Sequence, residues 1–240
     1  MKETITTMQR QEKKYVLYPT QYHRLCERIL PYLQPDEYYE SHIYNLYLDN
    51  EANELITRSI MKPVYKEKLR IRSYREVGVD TQQEVFLEVK KKCQGVVCKR
   101  RIAIPYADVL DSLKQGKLAM SGQIAEELSY AISRYRVVPN VFIGYDRLSY
   151  KGREDDSLRI TFDSHIRSRF NHLSLQDHPD NLELFEHHEV LMEIKAQQAL
   201  PLWLIQVLSE LRIYPESFSK VAQIYQKYRG GCDHVYQYTE

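Results

Sequence analysis

Between Lys66 and Glu76 the chain reads KEKLRIRSYRE, and Lys68, Arg70 and Arg72 alternate with Leu69 and Ile71. In an extended strand alternate side chains share a face, so this segment predicts one cationic face and one apolar face. The same parity recurs along the chain. Arg10, Glu12 and Lys14 fall together; Glu88, Lys90 and Lys92 oppose Val85, Leu87 and Val89; Lys99 and Arg101 oppose Ile102 and Ile104. Farther on, Tyr145 pairs with Arg147, Arg159 and Asp163 oppose Leu158, Ile160 and Phe162, and Glu193 and Lys195 oppose Met192 and Ile194. A solvated sheet face ordinarily mixes charge signs with Ser and Thr, whereas these faces are mostly Arg and Lys. Like charges on neighbouring strands repel, so such a set requires an anion. Guanidinium forks and ammonium groups hold phosphate oxygens, and carboxylates such as Glu12 and Glu193 hold Mg²⁺ or Mn²⁺. The chemistry indicated is recognition of a polyanion bearing a divalent cation.

Positioning these groups takes a sheet with helices against it. Period-two patterns predict eight strands, at 10–18, 43–49, 65–75, 83–92, 96–104, 141–150, 157–163 and 190–196. Between them Thr20 is a candidate cap for a helix carrying Tyr22, Leu25, Cys26, Ile29 and Leu33, and 107–114 ends at Gly116. Ile124, Leu128, Ala131, Ile132 and Tyr135 form a third stripe; 200–211 and 217–228, the latter after Pro215, close the set. No composition shift or repeat divides the chain. The expected architecture is one α+β domain over 1–229, an eight-stranded antiparallel sheet closed into a barrel with its basic face inward and helices on its apolar outside. Residues 230–240 read as a tail, and 171–189 as a long polar surface excursion.

The totals exclude several classes. With 43% hydrophobic and 28% charged residues and a formal net charge of +1, the chain is neither a basic nucleic-acid coat nor an acidic disordered segment. Single-strand binders also need aromatic platforms for bases, which these faces do not offer. The polar opening MKETITTMQRQEKK is no signal peptide, and no run approaches the roughly 18 apolar residues of a membrane helix, so a cytoplasmic location is expected. An outer-membrane barrel, polar inside, would lack the interspersed helices. Cys26, Cys93, Cys98 and Cys232 form no C-x-x-C pair and read as reduced thiols; the eight scattered histidines suggest no zinc centre.

Nine stretches in order, "RQEKKYVL", "YLDN", "KLRIRSY", "FLEVKKK", "VVCKRRIAIP", "YDRLSY", "LRITFD", "LMEIK" and "PESFSKV", resemble the VTC domain, the polyphosphate polymerase domain of the CYTH or triphosphate tunnel metalloenzyme superfamily. The resemblance implies an antiparallel tunnel with basic walls. It assigns Lys14, Arg70, Arg72, Lys90, Arg147 and Lys220 to catalysis on the triphosphate. Glu12, Lys99, Arg101, Arg159, Lys195 and Ser219 would contact substrate or support the wall, the last at a helix start whose free amides attract phosphate. Glu193 would be the ligand of Mn²⁺ or Mg²⁺. The implied reaction moves the γ-phosphate of a nucleoside triphosphate onto a polyphosphate chain; alternatives are a triphosphatase and a binding module that senses polyphosphate without turnover. The superfamily's triphosphatases open with Glu-x-Glu-x-Lys, but Arg10 stands in the first place here, which favours the polymerase branch. Ser217 stands where the polymerase has the first of two helix lysines. Implied partners are nucleotide and polyphosphate, with no nucleic acid, no membrane segment, and neither the regulatory SPX domain nor the membrane helices of the eukaryotic protein.

Overall fold

The computed structural model describes residues 11–229 apart from 62, 79–80, 95 and 198. In chain order the elements are β1 (Gln11–Leu17), α1 (Pro19–Ile29), β2 (Leu33–Asp49), α2 (Glu54–Ile60), β3 (Tyr65–Ser73), β4 (Glu84–Cys93), β5 (Val96–Pro105), α3 (Tyr106–Gln115), α4 (Gln123–Tyr135), β6 (Val138–Gly152), β7 (Arg159–Arg169), β8 (Leu182–Glu183), β9 (Val190–Ala196), α5 (Leu202–Glu210) and α6 (Lys220–Tyr228). The strands form one sheet in the order β1-β9-β7-β6-β2-β3-β4-β5, with β8 attached to β7. The hydrogen-bonded order runs from β1 to β5 without joining them, so among the described residues hydrogen bonds do not close the expected barrel. A different partner takes the outer edge of β1. The Glu216 backbone N–H donates to the Lys14 carbonyl at 2.8 Å, and the Glu216 side chain accepts from the Val16 N–H at 3.2 Å.

The chain divides into two compact units, to which β2, β6 and β7 each contribute residues on either side of a boundary. Within the described residues the first unit holds 11–41, 146–165 and 185–218 and the second holds 42–145, 166–184 and 219–229. The first has its own core, in which Tyr15 and Leu17 of β1, Ile160 and Phe162 of β7 and Met192 and Ile194 of β9 pack with Leu25 and Ile29 of α1 and Leu204 of α5. In the second, Leu46, Leu69, Ile71, Val85, Leu87 and Val89 pack with Val109 of α3 and Leu128 and Ile132 of α4. Leu69, Ile71, Val85, Leu87 and Val89 are all fully buried. At about 1.5–3 kcal/mol per side chain, a one-residue slip that exposed all five would cost on the order of 10 kcal/mol, so the faces of β3 and β4 are fixed.

Local chemistry sets the ends. Pro19 opens α1 after an extended Tyr18, whose N–H donates to the Gln21 carboxamide at 3.2 Å. Thr20 is therefore inside the helix and not its cap, and Leu33 lies in β2. Gly116 ends α3 in the left-handed conformation at φ 72°, where a missing Cβ removes the steric penalty. The strand expected at 43–49 starts ten residues earlier, and α2 was not foreseen; its first amides are capped by the buried Asp49, which accepts from the N–H groups of Leu55 and Ile56 at 2.9 Å each. Cys26, Cys93 and Cys98 are free thiols. No helix among the described residues is long and apolar enough to cross a membrane.

Candidate functional site

In the second unit the register lays out the cationic face row by row. Lys68 of β3 stands opposite Lys90 of β4, which stands opposite Lys99 of β5; Arg70 stands opposite Glu88, and Glu88 opposite Arg101. Tyr47 and Asn45 of β2 stand opposite Arg70 and Arg72. Opposed Cβ atoms in antiparallel strands are about 4.5–5.5 Å apart, so three lysines in one row concentrate positive charge. Lys68, Arg70 and Lys90 are half-buried and Arg72 is buried, whereas Lys99 and Arg101 at the β5 edge are exposed.

Glu88, 1% exposed, organises the middle of this face. It accepts from Arg70 Nε at 2.7 Å, lies 2.7 Å from Arg70 Nη2, and meets Lys99 Nζ at 2.6 Å. Burial pushes its carboxyl up, but Arg70, Arg72 and Lys99 together outweigh that and hold it down at about 2. Arg72 donates through Nε to Asn45 at 2.8 Å and through Nη2 to the Tyr145 hydroxyl at 3.1 Å. Arg70 Nη1 donates to the Tyr47 hydroxyl at 3.2 Å. Burial raises the Tyr47 phenol, yet Arg70, Lys68 and Arg72 overcome this and lower it to about 7, a local register of the positive potential. At the start of α6, Lys68 Nζ donates to Ser219 Oγ at 2.8 Å, and Ser219 caps the helix by accepting from the Ala222 N–H. Lys220 Nζ lies 4.3 Å from the centre of the Tyr145 ring. Arg101 stacks over Phe86 at 4.7 Å and is exposed, as is Lys92.

The first unit carries a cluster with more carboxylate. Glu12 and Lys195 face one another across β1 and β9, as do Lys14 and Glu193, while Thr161 of β7 faces Glu193 from the other side. Lys195 Nζ lies 2.5 Å from Glu193; Lys14 Nζ lies 3.4 Å from Glu12 and 3.9 Å from Glu193 and donates to the Phe218 carbonyl at 3.1 Å. Burial raises the Glu193 carboxyl, and Lys195, Lys14 and Arg147 bring it down to about 2, so it is ionised at neutral pH. Arg147 holds the fully buried Asp163 in a fork at 2.6 and 2.8 Å. Arg159 is bonded to Asp36 at 2.9 Å and to Ser149 at 3.1 Å and is half-exposed, which makes it a support of the strand pair. Among the described residues the buried Thr161 Oγ1 has no hydrogen-bond partner.

The structure thus brings Arg70, Arg72, Lys90, Lys99, Arg101, Ser219 and Lys220 into one unit and Glu12, Lys14, Arg147, Arg159, Glu193 and Lys195 into the other; Arg10 lies outside the described residues. Sequence reasoning did not assign Glu88, Tyr47, Asn45 or Thr161 a role. The signal for Glu88 was present, since it is a carboxylate at the same parity as Lys90 and Lys92. Tyr47 and Asn45 alternate within NLYLD as polar residues between leucines, and only the pairing of β2 with β3 shows which arginines they meet.

An antiparallel sheet with helices on its apolar side and arginine-carboxylate clusters on its polar side defines the class of fold. The model of the VTC domain family matches residues 9–228, and the chain belongs to that family. The fold is shared with a "putative adenylate cyclase" from Bacillus halodurans, at 13% identity and a TM-score of 0.53 over 87% of this chain and 92% of that one. Other similar structures include protein PH1819 of Pyrococcus horikoshii, at 13% identity and a TM-score of 0.45 over 90% and 99%. The triphosphatase of the Mimivirus capping enzyme follows at 12% identity and 0.31 over 84% and 87%. No curated protein matches the chain.

Proposed function

We propose that the protein is a metal-dependent phosphotransferase of the polyphosphate-polymerase type, which moves the γ-phosphate of a nucleoside triphosphate onto the end of a polyphosphate chain bound along its basic face. The observation that carries this reading is the lysine row Lys68–Lys90–Lys99 beside Arg70 and Arg72, with the carboxylate of Glu88 set between Arg70 and Arg101 on the same face. A multivalent phosphate is the anion that matches such a row, and family membership supports it. The tyrosines on this face support arginine and lysine side chains, so they do not serve as open platforms for bases.

Positioning and charge neutralisation supply the chemistry. Glu88 locks Arg70, and Asn45 with Tyr145 locks Arg72, so both guanidinium groups meet non-bridging phosphate oxygens without losing rotamer freedom on binding. Lys90, Lys99 and Lys220 offset the remaining charge. In the first unit Lys14 and Arg147 offer cationic groups of their own to phosphate, each already fixed by a partner. The donor set there fits a hard divalent cation: Glu193 and Glu12 are oxygen ligands, Glu193 is ionised, and the unpartnered Thr161 hydroxyl lies cross-strand from it. Such an ion would supply charge neutralisation for phosphate oxygens held in that unit.

The test is incubation of the purified protein with ATP and Mn²⁺, followed by separation of products. Long-chain polyphosphate with matching release of ADP is expected, and Glu193→Gln should abolish it. Free phosphate alone would reassign the protein to triphosphate hydrolysis; binding with no turnover would make it a polyphosphate sensor.

A further inference from the structure

The polar excursion that follows β7 has no part in the phosphate chemistry, yet it is firmly built. Arg169, 1% exposed, is the largest of the fully buried side chains. Its guanidinium lies 4.0 Å over the Phe142 ring. It donates to the His172 carbonyl at 3.0 Å, the Asn181 side-chain oxygen at 2.9 Å, the Ser174 carbonyl at 2.9 Å and Ser174 Oγ at 3.0 Å. Arg167 holds Asp177 in a second fork at 2.5 and 2.6 Å, Asn181 donates to Asp177 at 3.0 Å, and Leu175 is fully buried in the core. The loop is therefore pinned at five positions between residues 172 and 181. Burying a guanidinium is costly unless its donors are satisfied, and here the bonds that satisfy it also fix the backbone around three side chains whose atoms can ligate a metal.

Those side chains are His172, His178 and Asp180, whose ligand atoms all lie within 4.8 Å of one another. His172 Nε2 is 3.6 Å and His178 Nδ1 is 3.4 Å from the same oxygen, Asp180 Oδ2. A tetrahedral zinc ion with bonds of about 2.0–2.2 Å has donor-to-donor edges of roughly 3.3–3.6 Å, so two of the three edges already have the length that a shared metal requires. The Asp180 N–H donates to His178 Nδ1 at 3.2 Å. That bond occupies the Nδ1 lone pair, so a metal taken up through this nitrogen would replace the Asp180 N–H as its partner. The two imidazole rings lie 4.7 Å apart and nearly parallel.

We propose that His172, His178 and Asp180 form a binding site for a divalent transition cation, with zinc as the favoured ion and water at the open position. Two imidazoles and one carboxylate suit zinc, copper or nickel, whereas the oxygen set around Glu193 suits magnesium or manganese, so the donors of the two sites select different ions. No residue of this trio belongs to either phosphate-directed cluster, and the inference stands apart from the proposed activity.

Cobalt(II) and zinc titrations of the chelator-treated full-length protein test it. Cobalt should give the visible absorption of a four-coordinate centre at one equivalent, and zinc should displace it. His172→Ala and His178→Ala should each weaken binding by more than about ten-fold, the least that loss of even an outer-shell partner costs, and Asp180→Asn should weaken it too. Glu193→Gln should leave the cobalt spectrum unchanged. His172 is exposed and His178 lies at the surface, and circular dichroism of each variant verifies its fold. Absence of stoichiometric binding by the wild type, or wild-type affinity in the His172→Ala/His178→Ala double variant, would overturn the proposal.

Discussion

Replacing Arg70 separates its role in the fold from its role toward phosphate. Glu88 is almost wholly buried and is held at about 2 against an ordinary 4.5, with Arg70 first among the groups that lower it. That difference is worth about 3 kcal/mol, in line with the usual cost of removing one partner of a buried pair. Arg70→Met should therefore cost on the order of 3 kcal/mol of stability and move the urea midpoint down by roughly 1 M at a slope of about 3 kcal/mol per M. Arg70→Met/Glu88→Gln removes both charges, and Lys99, partly exposed, can hydrate; most of the lost stability should return. Net charge is the same in the double variant as in the wild type, so long-range attraction for an anion is unchanged. What is missing is the oriented fork, whose charge-assisted hydrogen bonds are worth about 1.5–3 kcal/mol, or roughly ten- to a hundred-fold in the Kd for tripolyphosphate by calorimetry. A double variant that regained stability and bound tripolyphosphate at wild-type affinity would refute the reasoning, because diffuse charge alone would then suffice.

Two further outcomes follow from the same electrostatics. Glu88 and Glu193 are both depressed to about 2 in the folded protein, so the stability they contribute is complete above the unfolded value near 4.5 and drains away as the pH falls toward 2. Chemical denaturation between pH 5 and pH 2 should show a steep loss over that window, on the order of 3 kcal/mol for each group, and the loss should flatten in Glu88→Gln; an equally steep loss in that variant would contradict the assignment. Tyr47, lowered to about 7, should titrate as tyrosinate by ultraviolet absorbance near neutral pH, with the transition absent from Tyr47→Phe. Tripolyphosphate should move the midpoint upward, and a midpoint indifferent to the anion would mean that phosphate does not reach Arg70, Lys68 and Arg72.

Parity carried most of what the sequence could tell. Leu69 and Ile71 against Arg70 and Arg72 is a local fact, fixed by the two-residue repeat of a strand and by the cost of exposing leucine and isoleucine. It survives any choice of neighbouring strand, and that is why the cationic faces were legible before their pairing was known. Helices with a clear apolar stripe, such as α4 through Leu128 and Ile132, were legible for the same reason. The segment Leu33–His42 was not, because LQPDEYYESH has no alternation and takes its extended form as the continuation of a strand whose apolar part begins at Ile43. Nor was α2: seven residues are too few to nucleate alone, and the cap that holds them comes from Asp49, at the end of the preceding strand.

The residues that sequence reasoning missed share one property, which is that their roles are defined by a partner distant in the chain. Glu88 is an acid among lysines when read along β4, and only the register that sets Arg70 on one side and Arg101 on the other makes it the fixed counter-charge of the face. The same holds for the row of Lys68, Lys90 and Lys99, three cations separated by many residues and brought side by side by two hairpin registers. Repulsion within that row is a standing cost to the folded chain, and core burial of Leu69, Ile71, Leu87 and Val89 on the opposite face outweighs it. A ligand that relieves the repulsion needs charge spread over several ångströms, and a chain of linked phosphates meets that need better than a single phosphate does; tripolyphosphate should accordingly stabilise the protein against heat far more than orthophosphate at the same total negative charge.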